Sequence, residues 1–321
     1  MKKPLASLSA ALLCLLLPDL IQAQTAAYKT VEFDSPSVAR KMKYNIVLPE
    51  KYDESTDRYP VLYLLHGYSS NYRDWVRMGV PAYARNYKLI VVMPDAGNSW
   101  YVNWSKSDEG QKNNWEDAII KDLIGHVDGT YRTITDRSGR AINGLSMGGY
   151  GGLMLGLRHP DMFCSIGSQS GALTFAKRYG ERMKEAKPAA PSSRKISNEP
   201  NKAIGIENFN SQVERSPKGQ MFATAEDAAA YDPFQIVLKI PADKMPHICI
   251  DCGTEDNLLG ASQAFMKLMM EHKIPFTYSQ SAGAHARAYW EREVGEAMAI
   301  QMAILQRNLN ASKKTQKASA K

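Results

Sequence analysis

Two short stretches constrain this chain more than any others: Val61 to Leu65 (VLYLL) and Leu89 to Met93 (LIVVM). Each is apolar at every position and far too short to span a bilayer or make a typical helix. A strand buried on both faces has this pattern, and such strands belong to mostly parallel sheets covered by helices on both sides. The rest of the chain fits that frame. Lys29–Phe33 and Lys41–Leu48 read as early strands. Between Asn114 and Tyr131, the residues Trp115, Ile119, Leu123, Val127 and Tyr131 recur every fourth position, which predicts a helix with Asn113 or Asn114 as its cap. Arg140–Asn143 is a strand, Tyr150–Leu157 a helix ending before Pro160, and Met162–Ser168 a strand. His247–Cys252 and Ile274–Ser279 complete the strands, with helices over Ala261–His272 and Ala288–Leu309. Alternating strands and helices predict an α/β class with a mostly parallel central sheet.

The ends and one insertion depart from this rhythm. Lys2 and Lys3, the apolar run Leu5–Leu17, Pro18 and the small residue Ala23 read as an export signal over 1–23, placing the mature chain in the periplasm or outside the cell. No later segment approaches the roughly 18 apolar residues of a membrane span. The catalytic domain is expected over 28–309, and a basic, disordered tail over 310–321. Residues 175–231 are long and polar for a connection, which predicts a partly helical cap or lid between two late strands. The net charge of +7 is gathered partly at the two ends, with no basic stripe interleaved with aromatics, so nucleic acid is not an expected partner. Once Cys14 leaves with the signal, Cys164, Cys249 and Cys252 remain. Three cysteines make no disulfide framework, and the last two lie in a strand that looks buried, so all are read as structural thiols.

The chemistry is concentrated in Gly144-Leu145-Ser146-Met147-Gly148, a G-x-S-x-G motif between a strand and a helix. A serine on such a sharp turn projects from the carboxyl edge of the sheet, and the glycines let neighbouring backbone pass. A serine hydroxyl needs a base to take its proton, and the base needs a carboxylate to hold its tautomer. His285, in the small-residue loop Ala282–His285, is the candidate base. His126, His159, His247 and His272 sit within or at the ends of helices and strands. The acid should follow the strand ending at Cys252, which points to Asp256, with Glu255 and Asp251 as alternatives. The oxyanion of a tetrahedral intermediate needs fixed donors. These are expected from the backbone of Met147 and of Tyr68, with Gly67 second, while His66 shapes that loop. Trp75, Trp100, Asn103 and Trp104 lie on loops at the same edge and are candidate substrate contacts, unless these rings pack the loops instead.

His66-Gly67, Gly144 to Gly149, Gly253-Thr254-Glu255-Asp256 and Gly283-Ala284-His285 followed by Tyr289-Trp290 together resemble the Putative esterase family. That family includes esterase D, tributyrin, feruloyl and acetylxylan esterases and the mycolyltransferases. The resemblance implies an α/β-hydrolase fold over roughly Tyr28–Leu309, a Ser146–His285–Asp256 triad, Met147 and Tyr68 as oxyanion donors, and no cofactor. Export and the aromatic loops then favour esters carried on polysaccharide, such as feruloyl or acetyl groups on xylan. An acyltransferase of the mycolyltransferase kind and a non-catalytic carbohydrate-binding module are the alternatives. Two departures concern the substrate: Arg287 stands where many members carry an aromatic residue, and the insertion is long.

Overall fold

The computed structural model describes residues 27–108, 111–185 and 216–319. The expected export signal, and the middle of the expected cap at 186–215, lie outside the described residues. The strands are β1 (Lys29–Ser35), β2 (Arg40–Val47), β3 (Val61–Leu65), β4 (Ile90–Pro94), β5 (Lys106–Ser107), β6 (Arg140–Gly144), β7 (Ser165–Gln169), β8 (Gly219–Gln220), β9 (His247–Gly253) and β10 (Phe276–Ser281). Eight of them form one sheet in the order β1-β2-β4-β3-β6-β7-β9-β10. From β4 to β10 neighbouring strands are parallel, while β2 runs antiparallel to both β1 and β4.

Successive side chains on a strand face opposite sides, and the two apolar runs show what this does. Val61, Tyr63, Leu65, Ile90 and Val92 join one core, which also takes Leu123, Val127, Leu153, Leu157, Phe265 and Met269 from the helices on that side. Leu62, Leu64, Val91 and Met93 join the other, against Tyr289, Trp290, Val294, Met298 and Leu305 of the last helix. A sheet coated on both faces leaves only its edges for chemistry.

The helical run expected after Asn114 is present as Trp115–Asp117, a π-helical segment Ala118–Leu123 and Ile124–Thr130. Its cap is not the predicted one. The Asn114 side chain makes no capping bond, and the Asp117 amide donates instead to Asn103 Oδ1 at 3.1 Å. The last helix, Arg287–Ser319, runs through most of the tail expected to be disordered. No glycine or proline follows Leu309 to stop it, and Ala311, Lys313, Lys314 and Gln316 all favour helix.

Between β7 and β9 the described parts of the insertion are the helix Phe175–Glu185, β8 and the helix Ala225–Ala229. β8 pairs antiparallel with β5, and the ring of Phe175 stacks on Trp100 at 3.6 Å, so the insertion is fastened to the loop after β4. No helix among the described residues is long and apolar enough to cross a membrane.

Candidate active site

β6 ends at Gly144, and the chain turns at Ser146 into the helix Met147–Arg158. Ser146 holds φ 54° and ψ −114°, outside the regions that side-chain-bearing residues ordinarily occupy. Backbone bonds clamp this turn: the Ser146 amide donates to Gln169 O at 2.9 Å, and Ala172 donates to Ser146 O at 3.1 Å. Gly148 is obligatory for steric reasons, since a Cβ there would lie 2.2 Å from Leu65 O and 2.6 Å from His66 O. The close approach of the helix to the end of β3 therefore depends on the missing side chain.

The structure brings together the three residues singled out as nucleophile, base and acid. His285 Nε2 lies 2.9 Å from Ser146 Oγ, while its Nδ1 lies 3.1 and 3.0 Å from the two oxygens of Asp256. With the ring proton on Nδ1 donated to the carboxylate, Nε2 is left to accept from the serine hydroxyl. Ser146 and Asp256 are buried. Burial by itself would raise the Asp256 carboxyl, but the hydrogen bond and charge of His285, together with the Leu258 amide, outweigh it and hold the group below its ordinary value. The ring of Trp290 meets His285 edge-on at 4.9 Å and restricts its rotation.

Glu255 does not reach His285. Its carboxylate accepts from the Gly283 amide and from Thr254 Oγ1, tying the loop that carries Asp256 to the loop that carries His285. Asp251 lies within β9, buried. Of the other histidines, His126 stacks on Phe33, His159 pairs with Glu116, His247 meets Thr277 and His272 ends the helix Leu259–Glu271. Arg287 pairs with Glu291 and donates to Arg77 O, anchoring the start of the last helix beside the His285 loop.

Met147 is the first residue of its helix, where backbone N–H groups have no intrahelical acceptor and the helix dipole favours negative charge. The loop after β3 passes directly over Ser146: a Cβ on Gly67 would stand 3.5 Å from Ser146 Cβ. His66 holds that loop in place. Ala96 N–H donates to its Nε2 at 3.0 Å, so the ring proton sits on Nδ1, which donates to Gly67 O at 2.7 Å.

The expected substrate contacts lie elsewhere. Trp75 and Trp100 are fully buried, and Trp104 is 7% exposed with its indole N–H donated to Ser99 O. Trp100 sits between Phe175, Tyr150 and Tyr68, and Trp75 belongs to the core facing the last helix. These rings are large enough to be recruited as packing wherever another segment covers them, as the insertion does for Trp100 and the last helix for Trp75. Asn103 is spent on the helix cap described above. Cys249 and Cys252 are free and buried, three positions apart in β9, so they face opposite sides of the sheet, and burial pushes each thiol up to about 12.

The family model described as Putative esterase matches residues 35–299. The chain belongs to this family. Its fold is of the α/β-hydrolase type. A solved structure of a fluorophosphonate-binding serine hydrolase from Staphylococcus aureus shares its fold, with a TM-score of 0.65 at 22% identity, covering 86% of this chain and 98% of that one. Among curated relatives, an esterase of Mycobacterium tuberculosis is 33% identical over 151 residues, 46% of this chain. An endo-1,4-beta-xylanase/feruloyl esterase of Xylanibacter ruminicola is 30% identical over 152 residues, 44% of this chain. These matches span only 33% and 21% of the relatives' own lengths.

Proposed function

We propose that this esterase hydrolyses carboxylic esters through an acyl-enzyme on Ser146, acting outside the cytoplasm on esters carried by polysaccharide. The observation that carries the mechanism is the hydrogen-bonded chain from Ser146 Oγ through His285 to Asp256. In this reading Ser146 attacks the ester carbonyl as its proton passes to His285 Nε2, and Asp256 stabilises the resulting imidazolium. The carbonyl oxygen becomes an oxyanion and takes hydrogen bonds from the amides of Met147 and Tyr68. His285 then gives its proton to the departing alcohol. Water repeats the sequence on the acyl-enzyme, releasing the acid and restoring Ser146.

The substrate class is supported by the export-like N-terminal sequence and by the similarity to a chain that joins a xylanase to a feruloyl esterase. With the tryptophans turned inward, it draws no support from an aromatic sugar platform. The test is a panel of nitrophenyl acetate, methyl ferulate and acetylated xylan with the parent and Ser146→Ala. Replacing the nucleophile should lower the rate by about 1,000-fold or more. A loss below about tenfold would remove Ser146 from the mechanism. Turnover of nitrophenyl acetate with neither methyl ferulate nor acetylated xylan touched would leave the mechanism standing and sink the polysaccharide assignment.

A further inference from the structure

A cavity of about 720 Å³ opens at the carboxyl edge of the sheet, beside the start of β2 and the end of β4, and Ser146 is not among its lining residues. Its walls include Arg40, Lys41 and Lys43 at the start of β2, Asp95 and Gly97 after β4, Trp115, and Ser216 and Lys218 from the insertion. Its volume is that of a site for an extended small ligand, well beyond the needs of a single ion. It is also joined to the catalytic loop. Asn98 accepts from the Ser69 amide with its Oδ1 and donates from Nδ2 to Ser216 Oγ on the cavity wall.

The charges on this wall are not all neutralised. Lys41 and Lys43 are shared with Glu32 and Asp34 at 3.5 Å across the β1–β2 pair. Arg40 and Lys218 form no ion pair among the described residues. Arg40 gives its Nε hydrogen to Val38 O and lays its guanidinium 5.1 Å over the Trp115 ring, and that indole N–H has no hydrogen-bond partner among the described residues. Cations exposed on a concave wall concentrate anionic ligands. These two cations, unpaired among the described residues, come from separate segments of the chain, Arg40 from the start of β2 and Lys218 from the insertion. Such an arrangement suits carboxylates spaced along a sugar chain.

We propose that this cavity is a docking subsite for the carboxylates of an acidic polysaccharide, so that the enzyme draws its esters from a uronate-bearing chain in preference to a neutral one. The proposal rests on reading Ser146 as the nucleophile of a polysaccharide esterase. Its test measures binding and not turnover. The Ser146→Ala protein is titrated calorimetrically with a glucuronate-bearing xylo-oligosaccharide, its neutral counterpart and polyphosphate, none carrying an ester. The uronate-bearing chain should bind about tenfold or more tightly than the neutral one at low salt. The preference should fade toward ~0.5 M salt, as screening requires. It should collapse in Arg40→Gln/Lys218→Gln, persist in Arg40→Lys, and weaken in Lys218→Gln alone, a change confined to an exposed side chain. Equal binding of the two oligosaccharides, survival of the preference in the double variant with its circular-dichroism melt unchanged, or tighter binding of polyphosphate would each overturn it. Nitrophenyl acetate turnover by the parent is read separately, and its absence would fail the esterase reading without altering the binding result.

Discussion

Ser146 keeps a backbone conformation that costs on the order of 1–3 kcal/mol for a residue with a side chain, and its surroundings hold it there. Gln169, Ala172 and the start of the helix Met147–Arg158 fix the turn, and the absent side chain of Gly148 lets that helix close on Leu65 and His66. Gly148→Ala is therefore expected to do more than overfill a core. The clash is with backbone oxygens, which have no rotamer to move to. The variant should lose about 2 kcal/mol or more of stability. Displacing the loop over Ser146 should also cost roughly 10- to 100-fold in kcat. Denaturant unfolding and ester turnover measure the two effects, and near-parental values in both would show that the helix can retreat without consequence. At this scale the convergence of Ser146, His285 and Asp256 was legible in the sequence, because the order of motifs along the chain and the strand ends preceding them narrow the choice. Glu255 was not. Its role in tying two loops together depends on Gly283, 28 positions away.

β9 carries its own conflict. Asp251 stands in the strand next to the β10 edge, one Oδ atom without a hydrogen-bond partner among the described residues, in a small cavity shared with Glu293 and Glu296 of the last helix. Burial drives its carboxyl up to about 8 against the influence of Gln169 and Tyr289, and the two glutamates add to the rise. Between its ordinary 3.8 and about 8, the folded state holds a proton that the unfolded chain has released. This group therefore removes stability as pH rises through that window, and the full penalty stands above it. Asp251→Asn should unfold at higher denaturant than the parent above pH 8, by on the order of 2–4 kcal/mol. The advantage should shrink steadily as pH falls toward 4. Parallel pH profiles for the two proteins would show that the carboxyl is not held neutral. The elements themselves were mostly readable. VLYLL is β3 at both ends, and the other apolar runs lie within one to three residues of their strands. The β5–β8 pair was not readable, because two-residue strands have no periodicity and are held by a partner more than 100 positions away.

At the scale of the whole molecule, stability resides in two cores on opposite faces of one sheet, and the last helix closes the second. Leu305 is fully buried against it, whereas residues 311–315 are exposed or half-buried. The helix over residues 311–315 thus satisfies its own backbone without adding to the core. Removing 311–321 should shift Tm by less than about 4 °C, corresponding to under ~1 kcal/mol, and leave ester turnover unchanged. A larger fall, measured by thermal melting, would mean that the tail packs on the body of the protein.

The sequence by itself determined the covered parallel sheet and the order in which serine, acid and histidine leave its edge. Both follow from local properties: apolar runs too short to be anything but buried strands, and turns that only small residues can make. Only the tertiary structure decided where the side chains between those landmarks point. The tryptophans after β3 and β4 could have faced a substrate or the core, and Asn103 could have met a ligand or a helix end. Each choice turned on which distant segment came to lie against it. An aromatic ring or an amide is equally suited to either partner, so its own position in the chain carries no information about which one it meets.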